Sequence, residues 1–168
     1  MWRATRMPFV HAAPPPLFPE ETLVCVRAAA NEFAVSPVAL LSILKVEGGK
    51  AGEVHQNRNG TVDYGVMQVN SLWISSLSGK RRSDGSAGDA LRVGSAGVAT
   101  RLLRNDDCYN IRVGAWILSR NMHRITTSPT AWWQAVARYH SKSRLKNIAY
   151  ARRLETIATR DIIFSGWW

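Results

Sequence analysis

Apolar residues recur along most of the chain at intervals of three and four, the spacing of one face of a helix. Leu23, Val24, Ala28 and Phe33 predict an amphipathic helix over about 20–34. Ser36-Pro37 then offers a capping hydroxyl followed by a proline suited to a first turn, and Val38, Leu41 and Leu44 carry a second helix. Gly48-Gly49 stops it, because glycine takes the left-handed conformation of helix ends. Glu47 therefore stands on the last helical turn. Between 50 and 70 the helical interval is lost, and Asn59-Gly60 predicts a tight turn inside a small hairpin or irregular loop. Ser71–Leu77 returns to helix. The Gly-, Ser- and charge-rich stretch 78–97 reads as a flexible surface insertion. Helical spacing resumes at Asp107 with Ile111, Ala115, Leu118 and Met122. Ser128-Pro129 opens a helix to about Arg138, and Ile148, Ala151, Leu154 and Ala158 line a final one. The pattern is mainly α, with one β-poor excursion in its middle.

The ends differ from the body. Pro8, Pro14, Pro15, Pro16 and Pro19 exclude helix from residues 1–19, which read as a Pro-rich disordered arm or signal remnant. Arg3 and Arg6 resemble the basic start of an export signal, but the apolar centre of such a signal is missing there. Residues 20–162 form the domain, and 163–168 a tail ending in Trp167-Trp168.

Composition narrows the class. A chain of 168 residues with 46% hydrophobic positions suits one ordinary domain. No apolar run approaches the roughly 18 residues of a spanning helix, so no membrane span is predicted. Lys and Arg outnumber Asp and Glu by 22 to 12, a formal charge of +10 that favours polyanions: nucleic acid, acidic lipid or an anionic cell wall. The Lys80-Arg81-Arg82 run reads as a solvated loop. Most of the seven Trp read as core, although flat aromatic faces also stack on bases and sugar rings. Cys25 and Cys108 are either separate buried thiols or one long-range disulfide, and composition does not choose between them.

Signatures of phosphate loops, zinc proteases and nucleophile elbows are absent, and His55, His123 and His140 have no partner at metal-ligand spacing. No metal or cofactor is expected. Glu47 is the more informative residue. It ends an apolar helix, where the negative end of the helix dipole disfavours a carboxylate. A carboxyl that keeps its proton is what a general acid needs. Downstream, Gly65 would let a ligand approach the backbone. Gln68 and Asn70 offer donors and acceptors for sugar hydroxyls and acetamido groups, and strand alternation would place them on one face with Val69 on the other.

The succession Leu44-Lys45-Val46-Glu47-Gly48-Gly49, then Asn57-Arg58-Asn59-Gly60-Thr61-Val62-Asp63-Tyr64-Gly65-Val66-Met67-Gln68-Val69-Asn70, resembles the lytic transglycosylases of the SLT, or goose-type lysozyme-like, superfamily. The small specialised members that accompany secretion, conjugation and pilus machines are the most similar. Their Cys-x-Asn-Ile-x-x-Gly-Ala helix is matched at Cys108–Ala115, and Ala137-Arg138-Tyr139-His140-Ser141 is similar to their tyrosine motif. The resemblance covers about residues 22–160. It implies a mainly α, lysozyme-like α+β fold whose small hairpin excursion lines a glycan groove. It implies Glu47 as the sole catalytic acid, Gly65, Met67, Gln68 and Asn70 along the groove, Tyr139 near the carboxyl, and Cys25 paired with Cys108. The implied partners are peptidoglycan strands and an envelope-spanning machine, with a periplasmic or secreted location and no nucleic acid. The chain departs from the common pattern in Gly48, where many relatives have Ser, in Arg138 and His140 flanking Tyr139, and in a longer insertion over 78–104.

The implied reaction is non-hydrolytic cleavage between N-acetylmuramic acid and N-acetylglucosamine. The rival is hydrolysis, which needs a second carboxylate about 5–9.5 Å from the first. Asp63 is the candidate, and we read it instead as a structural partner of the Asn-Gly turn. A basic nucleic-acid-binding or non-catalytic wall-binding module is the alternative of another class, but the basic residues spread over several helices rather than one face.

Overall fold

The computed structural model describes residues 16–79, 88–122, 128–140 and 143–163. Helix α1 spans Glu20–Phe33 and buries Leu23, Cys25, Val26, Ala29, Ala30 and Phe33 along one stripe. Helix α2, Pro37–Glu47, begins as its sequence predicts: the Ala39 amide donates to the Ser36 hydroxyl at 3.4 Å, with Pro37 in the first turn. It ends at Gly48, which sits at φ 61° and bonds back to the Leu44 carbonyl.

The centre of the molecule is α5, Asp107–Asn121, started by the Asp106 carboxylate accepting from the Tyr109 amide at 2.9 Å. The apolar spacing predicted one buried face, but α5 is buried on nearly every side from Tyr109 to Leu118. Its neighbours explain this: α1, α2, α4 (Ala96–Asn105), α6 (Pro129–Ala137) and β3 (Val69–Asn70) all pack against it. Arg112 is the residue of that run that is not buried, and it binds Glu32 of α1 through two contacts of 2.8 and 2.7 Å. The Cys25–Cys108 disulfide closes the same α1–α5 seam, with 5.1 Å between Cα atoms.

The middle excursion is a three-stranded antiparallel sheet of β1 (Val54–Gln56), β2 (Val62–Tyr64) and β3 (Val69–Asn70), in that order. Val54 pairs with Tyr64 and Gln56 with Val62, leaving a loop whose turn holds Asn59-Gly60. The Gly60 amide bonds to the Asn57 carbonyl at 3.0 Å, and Asn57 to Thr61 at 2.8 Å. The short α3, Ile74–Leu77, follows.

Helix α4, Ala96–Asn105, is an element that the spacing did not predict. Its buried positions are Ala99 and Leu103 alone, too sparse to stand out in a Gly- and Ser-rich stretch. The described part of the segment read as a flexible insertion is also packed. A single turn at Asp89–Leu91 buries Leu91 completely, and Val93 bonds to the Leu77 carbonyl. Lys80-Arg81-Arg82, His123, residues 1–15 and the Trp167-Trp168 tail lie outside the described residues.

Helices α6 (Pro129–Ala137) and α7 (Arg144–Ile157) complete the domain, and the chain runs on in a wider helical turn to Ile163. Ser128 occupies the capping position of α6, but its side chain makes no capping bond. On α7 the buried residues are Asn147, Tyr150, Ala151 and Leu154, so the buried stripe sits to one side of the predicted Ile148 face. Among the described residues, no helix is long and apolar enough to cross a membrane. The molecule is mainly α with a small sheet, the lysozyme-like class expected from the sequence.

Candidate active site

The end of α2 delivers Glu47 to a cleft of about 950 Å³, walled by the sheet on one side and by the end of α6 and start of α7 on the other. The Glu47 side chain is only 14% exposed, set low in an opening whose rim carries Arg58, Arg138 and Lys146. The Tyr150 hydroxyl of α7 donates a short hydrogen bond to Glu47 Oε1. Burial, then the adjacent Glu47 charge, pushes the Tyr150 phenol far above its usual range, so it stays a donor. His140 Nδ1 lies 3.7 Å from the same oxygen. Glu47 Oε2 has no hydrogen-bond partner among the described residues.

The residues quoted for the groove divide into two groups. Gln68 and Asn70 line the cleft. Gly65 and Met67 are buried beneath it. Gly65 sits at φ 66°, and a Cβ there would come within 2.5 Å of the Leu103 carbonyl and 2.6 Å of Asn110 Nδ2. The Cβ side of Gly65 is thus taken up by the protein's own α4 and α5. Met67 fills the space that Gly114 leaves on α5. Strand alternation does not account for Gln68, which closes a turn: its φ is 50°, its amide bonds to the Gly65 carbonyl at 3.1 Å, and its side-chain nitrogen bonds to the same oxygen at 2.8 Å. Asn70 does lie in β3, but both of its amide hydrogens are used, toward Thr61 Oγ1 at 3.0 Å and Asp63 Oδ1 at 2.7 Å.

Asp63 is held from both sides. Asn70 occupies one carboxylate oxygen and the Asn57 amide the other, at 2.8 Å. Asn57 also reaches Thr61, whose hydroxyl donates to Asn59 at 2.8 Å. This network joins the Asn-Gly turn to β2 and β3, as expected for a structural Asp63. Tyr139 donates to the Met67 carbonyl at 2.9 Å. Burial, and then the charges of Glu47 and Asp63, raises its phenol well above the ordinary value, which places it within the field of both carboxylates.

Three residues of the site were not assigned a role by the sequence reading. Tyr150 was hidden because the helical face was read on apolar residues, although Asn147, Tyr150 and Leu154 share a helical interval. His140 was noted only as lacking a partner at metal-ligand spacing and as flanking Tyr139, and its ring stacks on Tyr150 with centroids 4.6 Å apart and planes 7° from parallel. Asn110 was quoted only within a motif. It is fully buried, accepts from the Met67 amide at 2.9 Å, and donates to Tyr64 O at 2.8 Å and Leu103 O at 2.7 Å. It pins the turn, β2 and α4 to α5. Among the described residues, no group of three or more His, Cys, Asp or Glu is placed to hold a metal.

A shielded carboxyl at a helix end, lining a cleft and bonded on one oxygen by a phenol, is suited to moving one proton to and from a bound molecule. Comparison with known proteins gives the arrangement a context. The chain is 28% identical over 130 residues to the invasion protein IagB of Salmonella typhimurium, covering 77% of this chain and 69% of that protein. It is 27% identical over 146 residues to a peptidoglycan-binding-like protein of Escherichia coli O157:H7, covering 81% and 77%. The model of the transglycosylase SLT domain matches residues 24–156, from the first helix through the last and including the whole cleft. The chain belongs to the transglycosylase SLT domain family.

Proposed function

We propose that this protein is a peptidoglycan lytic transglycosylase that cuts the bond between N-acetylmuramic acid and N-acetylglucosamine and leaves 1,6-anhydro-muramic ends. The observation that carries the reading is Glu47, shielded at the base of the cleft with Oε1 held by Tyr150 and Oε2 free of protein partners among the described residues.

Protonated Glu47 gives its proton to the glycosidic oxygen. The bond from that oxygen to the muramic C1 breaks, and the sugar passes through an oxocarbenium-like state. The substrate's own acetamido group stabilises that state, so no protein nucleophile is needed. Glu47, now a carboxylate, takes the proton of the muramic C6 hydroxyl as that oxygen bonds to C1. The product is one anhydro ring, and the enzyme is restored. Tyr150 keeps the carboxyl aimed through both proton transfers. Gln68 holds the glycan with its remaining amide capacity. Asn70 supports the wall through Asp63 and Thr61, and Tyr139 fixes the turn through Met67.

Hydrolysis with Asp63 as second carboxylate has less support, because both Asp63 oxygens already accept amide hydrogens within the hairpin. The positive rim suits an anionic wall polymer. Kinship with an invasion protein supports local opening of the wall for an envelope machine, in a periplasmic or secreted setting. Incubation with purified sacculi, with wild type beside Glu47→Gln, tests the reading: anhydro ends appear with wild type and not with the variant. A reducing muramic end as the main product would make the protein a hydrolase.

A further inference from the structure

We propose that Arg58, Arg138 and Lys146 form a carboxylate-binding site in the cleft, which reads the acidic groups carried by the muramic acids of the glycan. The inference rests on the peptidoglycan reading given above and names the part of that substrate that these side chains recognise.

The charged side chains that line the cleft fall into two kinds. Each of its carboxylates already accepts a hydrogen bond from the protein. Glu47 accepts from Tyr150, Asp63 from Asn57 and Asn70, and Glu53 from the Lys50 amide at 2.8 Å. The cations are different. Arg58, Arg138 and Lys146 are exposed, and none of them has a hydrogen bond or ion pair from its side chain to any described residue. The imidazoles of the lining, His55 and His140, add no negative charge in either protonation state. The unused capacity of this cleft is therefore positive.

The cations stand on both walls. Arg58 lies in the loop between β1 and β2, next to Asn59-Gly60. Across the cleft, Arg138 follows the end of α6 and Lys146 lies in the first turn of α7. That turn holds no acidic residue, and a cation there opposes the positive end of the helix dipole, so helix stability does not call for Lys146. The β-1,4 backbone of N-acetylated sugars is uncharged and offers these cations nothing. The muramic residues do: each carries a lactyl arm that ends in its own carboxylate or in a peptide bearing carboxylates. Guanidinium and ammonium groups pair with carboxylates through charge-assisted hydrogen bonds. A phosphate polymer such as nucleic acid fits less well, because the same lining interleaves Glu47, Glu53 and Asp63 with the cations.

Binding is measured with the full chain carrying Glu47→Gln, which leaves the strands uncut. The ligands are of similar length: a neutral N-acetylglucosamine oligomer, peptide-free glycan strands with bare lactyl carboxylates, and strands bearing stem peptides. The charged strands bind more tightly than the neutral oligomer, and added salt removes most of that difference. Whichever charged strand is tighter identifies the source of the carboxylate. Adding Arg138→Gln or Lys146→Gln weakens the charged strands by about two- to fivefold each, the range of an exposed ion pair, and leaves the neutral oligomer unchanged. Adding Arg152→Gln removes the same charge from an exposed position of α7 outside the cleft lining, and changes neither. Equal affinity for all the ligands overturns the proposal. So does an effect of Arg152→Gln as large as those in the cleft, or tighter binding of an oligonucleotide that the same cleft substitutions abolish. These outcomes are read without cleavage. A preference for charged strands with no anhydro ends from wild type contradicts the proposed reaction and leaves the site standing. Anhydro ends with no preference for charge do the reverse.

Discussion

The proposed reaction puts Glu47 at its centre, a side chain that lines the cleft with Oε1 bonded to the Tyr150 hydroxyl. A hydrogen bond to a charged group contributes about 1.5–3 kcal/mol, more than a neutral one. Tyr150→Phe keeps the ring, its stack with His140 and its packing, and removes only this bond. Turnover is expected to fall by about ten- to a hundredfold, and the melting temperature by several degrees as the same bond is lost to stability. An unchanged rate would show that the carboxyl is aimed by something else. This residue could not have been found from apolar periodicity, because its value lies in a hydroxyl directed at another helix. The placement of Glu47 was legible: a carboxylate before two glycines at the end of an apolar helix goes against local preference, and it does end α2 and line the cleft.

At the scale of elements, the hairpin and the Gly65–Gln68 turn are held as one unit by Asn110 of α5. Its side chain makes three hydrogen bonds, to Met67, Tyr64 and Leu103, in a fully buried position. Asn110→Ala strands a backbone amide and two carbonyls, and about 3 kcal/mol of stability should be lost in denaturant unfolding. The loss is local to the cleft wall, so glycan binding weakens even below the melting transition. A neutral substitution would mean that water replaces the amide. Helix α2, with its apolar run and its Ser36-Pro37 start, and α1, with its apolar stripe, could be read directly. Helix α4 could not, because two buried residues in ten do not mark a period. The alternation read at Gln68 to Asn70 failed for a related reason. A glutamine in left-handed backbone is set by a tertiary turn, not by strand preference.

For the whole molecule, the α1–α5 seam joins residues 83 positions apart through the Cys25–Cys108 disulfide. In the chain-entropy estimate, closing a loop of that size stabilises by about 4.5 kcal/mol. Reduction should lower stability by most of that amount in a denaturant titration, while the cleft residues, none of which is a cysteine, keep their arrangement. Another global signal lies at high pH. The Tyr109 hydroxyl donates to the Leu91 carbonyl at 2.7 Å, and burial pushes its phenol up to about 12. Because the folded value lies above the ordinary one near 10, its contribution is whole below about pH 10 and is lost as the pH rises through about 12. The melting temperature should fall over that window, and Tyr109→Phe should flatten the decline. The mainly helical architecture was legible from spacing alone. The pairing of the cysteines was not, since one sequence permits both free thiols and a bridge until α1 and α5 are seen side by side.

The central claim is that Glu47 moves one proton out and one proton back without adding water. Mass spectrometry of fragments released from purified sacculi tests it most directly. Wild type should yield muramic ends lighter by one water than reducing ends, and Glu47→Gln, purified and folded, should yield none. Fragments with reducing muramic ends, or undiminished release by the Gln variant, would contradict the account.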